Sequence, residues 1–253
     1  MKTYSFINKK GGVGKTTIVI NTAYALANRY GARVLVIDND DQGNDTDFFG
    51  VEADCNLADI MMNTVSIKDA IKHTRYENID IIPADIDLAS ANVDIIKEDL
   101  SDNLLLQRSL QEVADMYDIC LIDNPPRIDS LTVVNSIIAS DEVVVVSLPD
   151  VFSVSGVKQM ISLIESAKQF RPNLKYRGVV LNMASSDTES ANMIERLKGI
   201  SPIFKTRLRK TDNYKVRVRT ATARQQSIYE YSPRCGFAQD LVKFTDELLN
   251  MEG

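Results

Sequence analysis

Lys-Lys-Gly-Gly-Val-Gly-Lys-Thr-Thr, residues 9–17, is the stretch of sequence that decides the fold of this chain. Residues 3–8, directly before it, are rich in β-branched and aromatic side chains and predict a buried strand. Residues 16–29, which follow, have the apolar spacing of a helix. The glycines let the backbone turn its N–H groups inward, and the helix N-terminus adds partial positive charge. Strand, glycine-rich loop and helix together predict a phosphate-binding site.

Lys15 and Thr16 carry the chemistry of this loop. A lysine at this position reaches the β- and γ-phosphates of a nucleotide, and the hydroxyl group that follows it ligates Mg²⁺. The loop departs from the standard G-x-x-x-x-G-K-[ST] pattern, because Lys9 stands where the first glycine belongs and Lys10 adds a cation. The alternative is that both lysines are solvated charges beside an ordinary loop. The predicted nucleotide-binding residues here are Gly11, Gly12, Val13, Gly14, Lys15, Thr16 and Thr17.

Composition and charge narrow the class of protein. The 253 residues have the composition of a soluble globular chain, and their number suits one α/β domain spanning residues 1–253. The net charge of −6 argues against a generally basic nucleic-acid-binding protein but leaves room for a local basic face. The three cysteines are far apart and lack C-x-x-C spacing, which indicates neither disulfides nor a zinc site. No apolar run approaches the ~18 residues of a membrane span and no signal peptide is present, so we expect a cytoplasmic protein without membrane association.

Almost wholly apolar stretches alternate with helical patterns along the rest of the chain. The further predicted strands are residues 33–38, 79–83, 119–123, 143–148 and 178–182, and the main predicted helices are residues 103–116, 153–170, 187–198 and 238–251. Continuous apolar strands between helices are typical of a parallel sheet that is covered on both faces. We therefore expect an α/β fold, a doubly wound and mostly parallel sheet of seven or eight strands flanked by helices. Its ligands bind outside the carboxyl ends of the strands.

Two polar stretches follow predicted strands. Residues 38–44 read Asp-Asn-Asp-Asp-Gln-Gly-Asn, and residues 117–126 read Tyr-Asp-Ile-Cys-Leu-Ile-Asp-Asn-Pro-Pro. A carboxylate at the end of a strand beside a phosphate site can orient an attacking water molecule or assist Mg²⁺. The first stretch has a competing interpretation as a solvated acidic turn, and a strand that ends in aspartate is weak evidence on its own.

These three stretches together resemble the ParA/MinD family of deviant Walker A ATPases. Residues 10–16 are similar to the K-G-G-x-G-K-T loop of that family, residues 38–44 to its D-x-D-P-Q-G-N motif, and residues 117–126 to its Y-D-x-x-x-x-D-x-P-P motif. The resemblance spans essentially the whole chain and is to short, Soj-like ParA proteins without an N-terminal helix-turn-helix domain. Asp41 replaces the proline of the second motif, which predicts a less rigid loop and a negative charge that slows hydrolysis.

The resemblance implies roles for individual residues. Lys10 would cross a dimer interface to the nucleotide of the partner, and Asp40 would position the attacking water molecule. With Lys15 these are the expected catalytic residues. Asp123 would assist the Mg²⁺ ion that Thr16 binds. Asn182 matches a position where relatives contact the adenine base, although an asparagine at the end of a strand can also cap the next turn.

A short segment near the C-terminal end is strongly basic. In residues 205–224, Asp212 is the only acidic residue. If part of the segment is extended, Lys215, Arg217 and Arg219 lie on one face with valines on the other. Such a stripe could bind DNA phosphates without sequence specificity. The alternative is a solvated surface that pairs with acidic residues of the same chain. The candidate DNA-binding residues are Arg207, Arg209, Lys210, Lys215, Arg217, Arg219 and Arg224.

The resemblance implies a cytoplasmic, nucleoid-associated ATP hydrolase that uses ATP and Mg²⁺. ATP would assemble a homodimer that binds non-specific DNA, and a ParB-like partner protein would stimulate turnover. The cargo would be a plasmid, a chromosome or another structure to be segregated or positioned. Two alternatives stay open: a MinD-like ATPase that cycles on and off membranes, and a nucleotide-gated DNA-binding regulator with little turnover.

Overall fold

A computed structural model describes residues 1–97, 102–127, 130–210 and 214–250. Within these ranges the strands form one sheet of eight, in the order β3-β4-β2-β5-β1-β6-β7-β8. All neighbouring pairs are parallel except β3 with β4. The strands are β1 (Lys2–Ile7), β2 (Val34–Asp38), β3 (Lys72–His73), β4 (Ile79–Ile82), β5 (Ile119–Asp123), β6 (Glu142–Ser147), β7 (Lys175–Ala184) and β8 (Ile203–Arg209). The predicted fold class is confirmed.

Helices connect the strands and cover both faces of this sheet. They are α1 (Lys15–Tyr30), α2 (Asn44–Phe49), α3 (Leu57–Met61), α4 (Ile67–Ala70), α5 (Asp87–Lys97), α6 (Leu105–Gln111), α7 (Leu131–Ala139), α8 (Ser153–Ala167), α9 (Thr188–Lys198), α10 (Tyr214–Ala223), α11 (Ile228–Tyr231) and α12 (Gly236–Asn250). Among the described residues, no helix has both the length and the apolar character to cross a bilayer.

The alternation of side chains along each strand creates the two apolar layers of the core. In β1, Tyr4 and Phe6 point to the face that α1 and α12 cover, whereas Ile7 points to the face covered by α7 and α8. Each of these three side chains is at most 1% exposed. At about 25 cal/mol per Å² of buried apolar surface, burial of this kind is the main source of stability for the sheet. The β strands are therefore held rigidly enough to position the loops at their ends.

The register of the central strands brings the polar loops together. Asp38 at the end of β2 lies directly opposite Asp123 at the end of β5, and Phe6 of β1 lies opposite Asp123 on the other side. The loops that leave β1, β2 and β5 therefore emerge side by side at the carboxyl edge of the sheet. This edge is where the fold class predicts the ligand site.

Several predicted element bounds are corrected by the structure. The helix predicted over residues 103–116 is helical only at Leu105–Gln111, because residues 112–116 form turns. Strand β7 extends beyond residues 178–182 in both directions. Strand β8 and helix α5 lie outside the predicted elements, and β8 alternates buried Phe204 and Leu208 with polar residues, a pattern typical of a strand near a sheet edge.

Candidate active site

The glycine-rich loop, the loop after β2 and the loop after β5 enclose one cavity of about 400 Å³. Its walls come from Asn8 and residues 11–16, from residues 40–42 and 44, and from residues 126–127. Gly14 ends the loop in the left-handed region, with φ of 83°, so the chain can enter α1 directly at Lys15. The three stretches that the sequence singled out thus meet around one space.

Lys15 and Thr16 line this cavity, and both side chains contact the buried Asp123. The Lys15 Nζ atom donates to Asp123 Oδ1 at 2.5 Å, and the Thr16 hydroxyl donates to Asp123 Oδ2 at 2.6 Å. The side chains of Lys15 and Asp123 are only 5% and 1% exposed. The ion pair is therefore shielded from water, and Lys15 is fixed below the loop that would hold the phosphates.

The same residues fit a magnesium ion. Mg²⁺ prefers oxygen ligands, keeps several water molecules, and is commonly bound through one or two carboxylates together with substrate phosphates. Thr16 and Asp123 supply a hydroxyl and a carboxylate oxygen at adjacent positions. Within the described ranges, no three His, Cys, Asp or Glu side chains are arranged to hold a metal by themselves. When bound, the ion would neutralise phosphate charge, and Thr16 and Asp123 would hold it.

Asp40 lies at the wall of the cavity on the loop after β2. Its side chain is buried, and Oδ1 accepts a hydrogen bond from the Gln42 N–H at 3.1 Å. Burial raises the pKa of this carboxyl group, while the Gln42 N–H and the Lys15 charge act in the opposite direction. A partly desolvated carboxylate that is oriented from behind is suited to hold a water molecule for attack.

Asp38 holds the base of the same loop through hydrogen bonds. Its carboxylate accepts hydrogen bonds from the Thr46 N–H at 3.0 Å, from the Thr46 hydroxyl at 2.9 Å and from the Asp40 N–H at 3.2 Å. Burial raises its pKa to about 7, and the nearby Asp123 raises it as well. Asp38 therefore ties the loop that carries Asp40 to the start of α2.

Asp41 forms an ion pair with Arg127 that joins the second loop to the third across the mouth of the cavity. The Asp41 side chain is 9% exposed and that of Arg127 is 52% exposed. The pair balances the negative charge that Asp41 brings close to Asp40. The sequence analysis did not identify Arg127, since its only signal is a lone arginine after the two prolines.

Replacement of Arg127 with alanine is expected to weaken ATP binding about fivefold, corresponding to about 1 kcal/mol for a partly exposed pair. The reason is that Asp41 then repels the phosphates without compensation. The double variant Asp41→Asn/Arg127→Ala is expected to regain the affinity. Fluorescence titration with a labelled ATP analogue measures both values. Equal affinities for the wild type and Arg127→Ala would contradict this role of the pair.

Lys10 lies outside the phosphate cavity of its own chain. Its Nζ atom contacts Asp150 Oδ2 at 2.7 Å and lies 5.6 Å from the centre of the Phe152 ring. The Lys10 side chain is 54% exposed, and Phe152 is 72% exposed. Lys9 hydrogen-bonds to Gln159 on α8. Lys10 is thus a surface charge beside the site, while Lys15 occupies the position inside it.

Asn182 is fully buried under the phosphate loop at the carboxyl end of β7. Its side-chain amide donates to the Val13 carbonyl oxygen at 2.7 Å, and its side-chain oxygen accepts from the Met183 N–H at 2.9 Å. Asn182 and Met183 both lie within β7, which continues to Ala184, so the second contact does not cap a turn. Contact with an adenine base stays a prediction.

The basic segment does not have the extended conformation on which the proposed stripe of Lys215, Arg217 and Arg219 depends. Residues 214–223 form α10, in which residues two apart point about 200° apart around the axis. Arg217 and Arg219 therefore do not share a face, and the predicted stripe with Lys215 is wrong. The side chain of Lys215 lies outside the described part of the chain. The physical reason is packing, because Val218 and Ala221 contact the core at helical spacing while Val216 is 62% exposed.

The other predicted DNA-binding residues have different environments. Arg207, Lys210, Arg219 and Arg224 are exposed. The Arg224 guanidinium lies 5.5 Å from the centre of the Tyr231 ring. Arg209 makes a bidentate ion pair with Asp240 on α12, with distances of 2.7 Å from Nε to Oδ2 and 2.5 Å from Nη2 to Oδ1. Pairing within the chain, which the sequence analysis kept as an alternative, therefore applies to Arg209.

Comparisons with known proteins agree with this geometry. A family model described as an AAA domain matches residues 1–176. The sporulation initiation inhibitor protein Soj of Bacillus subtilis is 34% identical to this chain, over 96% of this chain and 97% of its own length. The chromosome-partitioning ATPase Soj of Treponema pallidum is 30% identical over 100% of this chain and 98% of its own.

A solved structure shows the same fold with ligands bound. The crystal structure of cobyrinic acid a,c-diamide synthase from Mycobacterium smegmatis with bound ADP and magnesium has a TM-score of 0.82 and 25% sequence identity. The similarity covers 98% of this chain and 94% of that one. The family model ends at residue 176, whereas the similarity to the two Soj proteins covers nearly the whole sequence at 30% identity or more. The chain belongs to the ParA/MinD family of deviant Walker A ATPases, in the short form that the Soj proteins represent.

Proposed function

We propose that the ATP-bound form of this chain is a dimer that binds DNA without sequence preference and thereby partitions a cargo in the cell. The chain is an ATP hydrolase of the ParA type, with ATP and Mg²⁺ as its cofactors. Its membership in the family supports a role in partitioning or positioning. The observation that carries the DNA-binding part is the contact between the basic helix α10 and the helix that follows the phosphate loop.

Helix α10 packs on the first turns of α1. Val218 and Ala221 line a small space of about 10 Å³ together with Thr17 and Ile20 of α1 and Phe48 of α2. The same surface is continued after α10, where the Ile228 N–H donates to Asn21 Oδ1 at 2.7 Å. A change at the nucleotide site that shifts α1 or α2 therefore has a packed route to the basic helix.

A single protomer exposes few of the candidate lysine and arginine side chains, so tight DNA binding would need a dimer. Five of the candidate residues are exposed around β8 and α10, and because Arg209 is paired with Asp240, four of them are available: Arg207, Lys210, Arg219 and Arg224. Non-specific DNA affinity rises with the number of phosphates that are neutralised, and typical dissociation constants are about 10⁻⁴ to 10⁻⁶ M. A protomer with few contacts binds weakly, whereas two copies on one duplex gain through their effective concentration. ATP-dependent dimerisation would then act as the switch for DNA binding.

Lys10 supports the proposed dimer because it is charged, exposed and outside its own phosphate cavity. In the dimer it would exchange Asp150 for the phosphates of the partner's nucleotide. A ParB-like partner protein would stimulate hydrolysis and so release the dimer from DNA. The ATP-bound protein would be found with the nucleoid, and the remainder in the cytoplasm.

A salt series with random-sequence DNA tests the proposed DNA binding. In ATP, log K should fall linearly with log salt, and Lys210→Ala/Arg219→Ala should lower the slope by about one for each phosphate contact removed. The matched control is Lys168→Ala/Arg196→Ala, which removes the same amount of positive charge elsewhere on the surface. Lys168 directly follows the last residue of α8, and Arg196 lies in α9. Equal slopes for the two double variants would contradict the assignment of this surface.

The same preparations separate the two alternatives. Binding to anionic liposomes in ATP, without DNA binding, would select a membrane-cycling ATPase. ATP-dependent DNA binding with no phosphate release, even at saturating Mg²⁺, would select a nucleotide-gated regulator. The proposed function requires DNA binding and phosphate release together.

A further inference from the structure

The loop that follows β6 contacts Lys10 at a point outside the phosphate cavity. Asp150 Oδ2 accepts from the Lys10 Nζ atom at 2.7 Å, and the centre of the Phe152 ring lies 5.6 Å from the same ammonium group. The ring adds to the attraction, because the face of an aromatic ring carries partial negative charge. The resting position of the Lys10 side chain is therefore set by one short loop of its own chain.

Asp150 is fixed in place by contacts other than Lys10. Its second oxygen, Oδ1, accepts from the Phe152 N–H at 3.0 Å and from the Ser153 hydroxyl at 2.9 Å, so the carboxylate closes a turn at the start of α8. Burial acts to raise the pKa of this carboxyl group, but the hydrogen bonds from Lys10, Ser153 and the Phe152 N–H outweigh it and hold the pKa below its ordinary value. The oxygen that faces Lys10 is thus charged and already oriented.

Lys10 has to leave this contact to reach the nucleotide of a second chain. The ion pair with Asp150 is partly exposed, and exposed pairs contribute little stability individually. Phosphate oxygens form strong charge-assisted hydrogen bonds with an ammonium group and carry several negative charges together. The pair is therefore strong enough to hold Lys10 in the free chain and weak enough to yield to the phosphates of a partner.

We propose that Asp150 is a positioning residue for Lys10, which holds the ammonium group outside its own phosphate cavity and resists its transfer to the nucleotide of the partner. Each protomer of a symmetric dimer would release one such pair. At the usual strength of an exposed pair, each release weakens dimerisation about two- to fivefold, and two releases weaken it about four- to 25-fold. The inference rests on the shared nucleotide site of the proposed function, whereas the resting contact is a property of the single chain.

The test compares Asp150→Asn with Asp85→Asn. Asparagine can accept the same turn hydrogen bonds as Asp150 but carries no charge to hold Lys10. Asp85 makes the same kind of turn, accepting from the Asp87 N–H at 3.0 Å, in the loop that follows β4. In the sheet, β4 is four strand positions from β6, or about 19 Å, so the control removes the same charge at the same sheet edge far from Lys10.

Two measurements are made on each protein. In the nucleotide-free chain, the rate at which acetic anhydride modifies Lys10 is read by mass spectrometry against Lys158, an exposed lysine of α8. In AMP-PNP and Mg²⁺, sedimentation gives the dissociation constant of the dimer at about 0.1 M and about 0.5 M salt. Thermal unfolding and ADP affinity are recorded as checks on folding and on the phosphate site.

Asp150→Asn is expected to speed the modification of Lys10 about two- to fivefold, because the ion pair no longer stabilises the unreactive ammonium form. The dissociation constant of its dimer should be about four- to 25-fold lower than that of the wild type at about 0.1 M salt, and the difference should shrink at about 0.5 M, since salt screens exposed charges. Asp85→Asn should match the wild type in both measurements. A merely structural role of Asp150 in its turn would give no salt-dependent difference.

An unchanged or higher dissociation constant in Asp150→Asn would overturn the proposal, and so would unchanged modification of Lys10. If the asparagine variant unfolds, Asp150→Ser, which can close the same turn, takes its place in both measurements. A wild-type chain that stays single in AMP-PNP would contradict the proposed dimer and with it the release of Lys10. A wild-type dimer whose dissociation constant is the same in Asp150→Asn would instead overturn this inference alone.

Discussion

Asp40→Ala is expected to lower the rate of ATP hydrolysis by at least about 100-fold while ATP binding and assembly persist. The Asp40 carboxylate is buried at the cavity wall and is oriented by the Gln42 N–H, as a group that holds an attacking water molecule requires. Removal of such a group usually costs about 10² to 10⁴ in rate. Asp40 makes no ion pair with Lys15, whose Nζ contacts Asp123 instead, so the phosphate-binding lysine keeps its position.

Phosphate release and DNA retention together check this prediction. We expect Asp40→Ala protein to stay on DNA for as long as ATP is present, whereas the wild type leaves as it hydrolyses. Asp47→Ala is the control, because Asp47 is an exposed aspartate on the following helix. If Asp40→Ala hydrolyses ATP at more than about a tenth of the wild-type rate, Asp40 does not have the role assigned to it.

Lys10→Ala is expected to abolish ATP-dependent dimerisation and to lower hydrolysis by a factor of about 10³ or more. A positive charge delivered by a second protein at the γ-phosphate is worth about 10³ to 10⁵ in rate in arginine-finger systems. Nucleotide binding to the single chain should change little, because Lys10 lies outside its own phosphate cavity and pairs with Asp150. Light scattering in ATP would then show the 28.2 kDa chain and not twice that mass.

Lys9→Ala provides the control for this experiment. Lys9 is the neighbouring lysine and its side chain hydrogen-bonds to Gln159 on α8, so its removal changes the same charge in the same loop. We expect Lys9→Ala protein to dimerise in ATP. A normal dimer of Lys10→Ala would refute the shared site, and a loss of dimers in both variants would show that the loop charge, and not Lys10 itself, is responsible.

The sequence predicts that Lys15, Thr16 and Asp123 lie together, because the pattern that marks each of them is local. A glycine-rich loop between a strand and a helix, and a carboxylate at the end of a buried strand, are each defined by adjacent residues. The register of β2 and β5 then brings Asp38 and Asp123 opposite each other, as the parallel sheet requires. Lys15, Thr16 and Asp123 are accordingly found together.

Features that depend on tertiary contacts were not predictable in this way. The alternation of valines and basic residues at 215–219 has the period of a strand, but the contacts of Val218 and Ala221 with α1 and α2 favour a helix. The Asp41–Arg127 and Lys10–Asp150 pairs join residues that are 86 and 140 positions apart, so no sequence spacing indicates them.

The central claim is that ATP joins two copies of this chain and that the joined form is the one that binds DNA. Sedimentation of Asp40→Ala protein with fluorescent random-sequence DNA, at about 0.1 M salt, tests it most directly. We predict that DNA is bound only in ATP, by units of twice the 28.2 kDa chain mass, and that Lys10→Ala in the same background abolishes binding. Equal DNA binding in ADP, or binding by single chains in ATP, would contradict it.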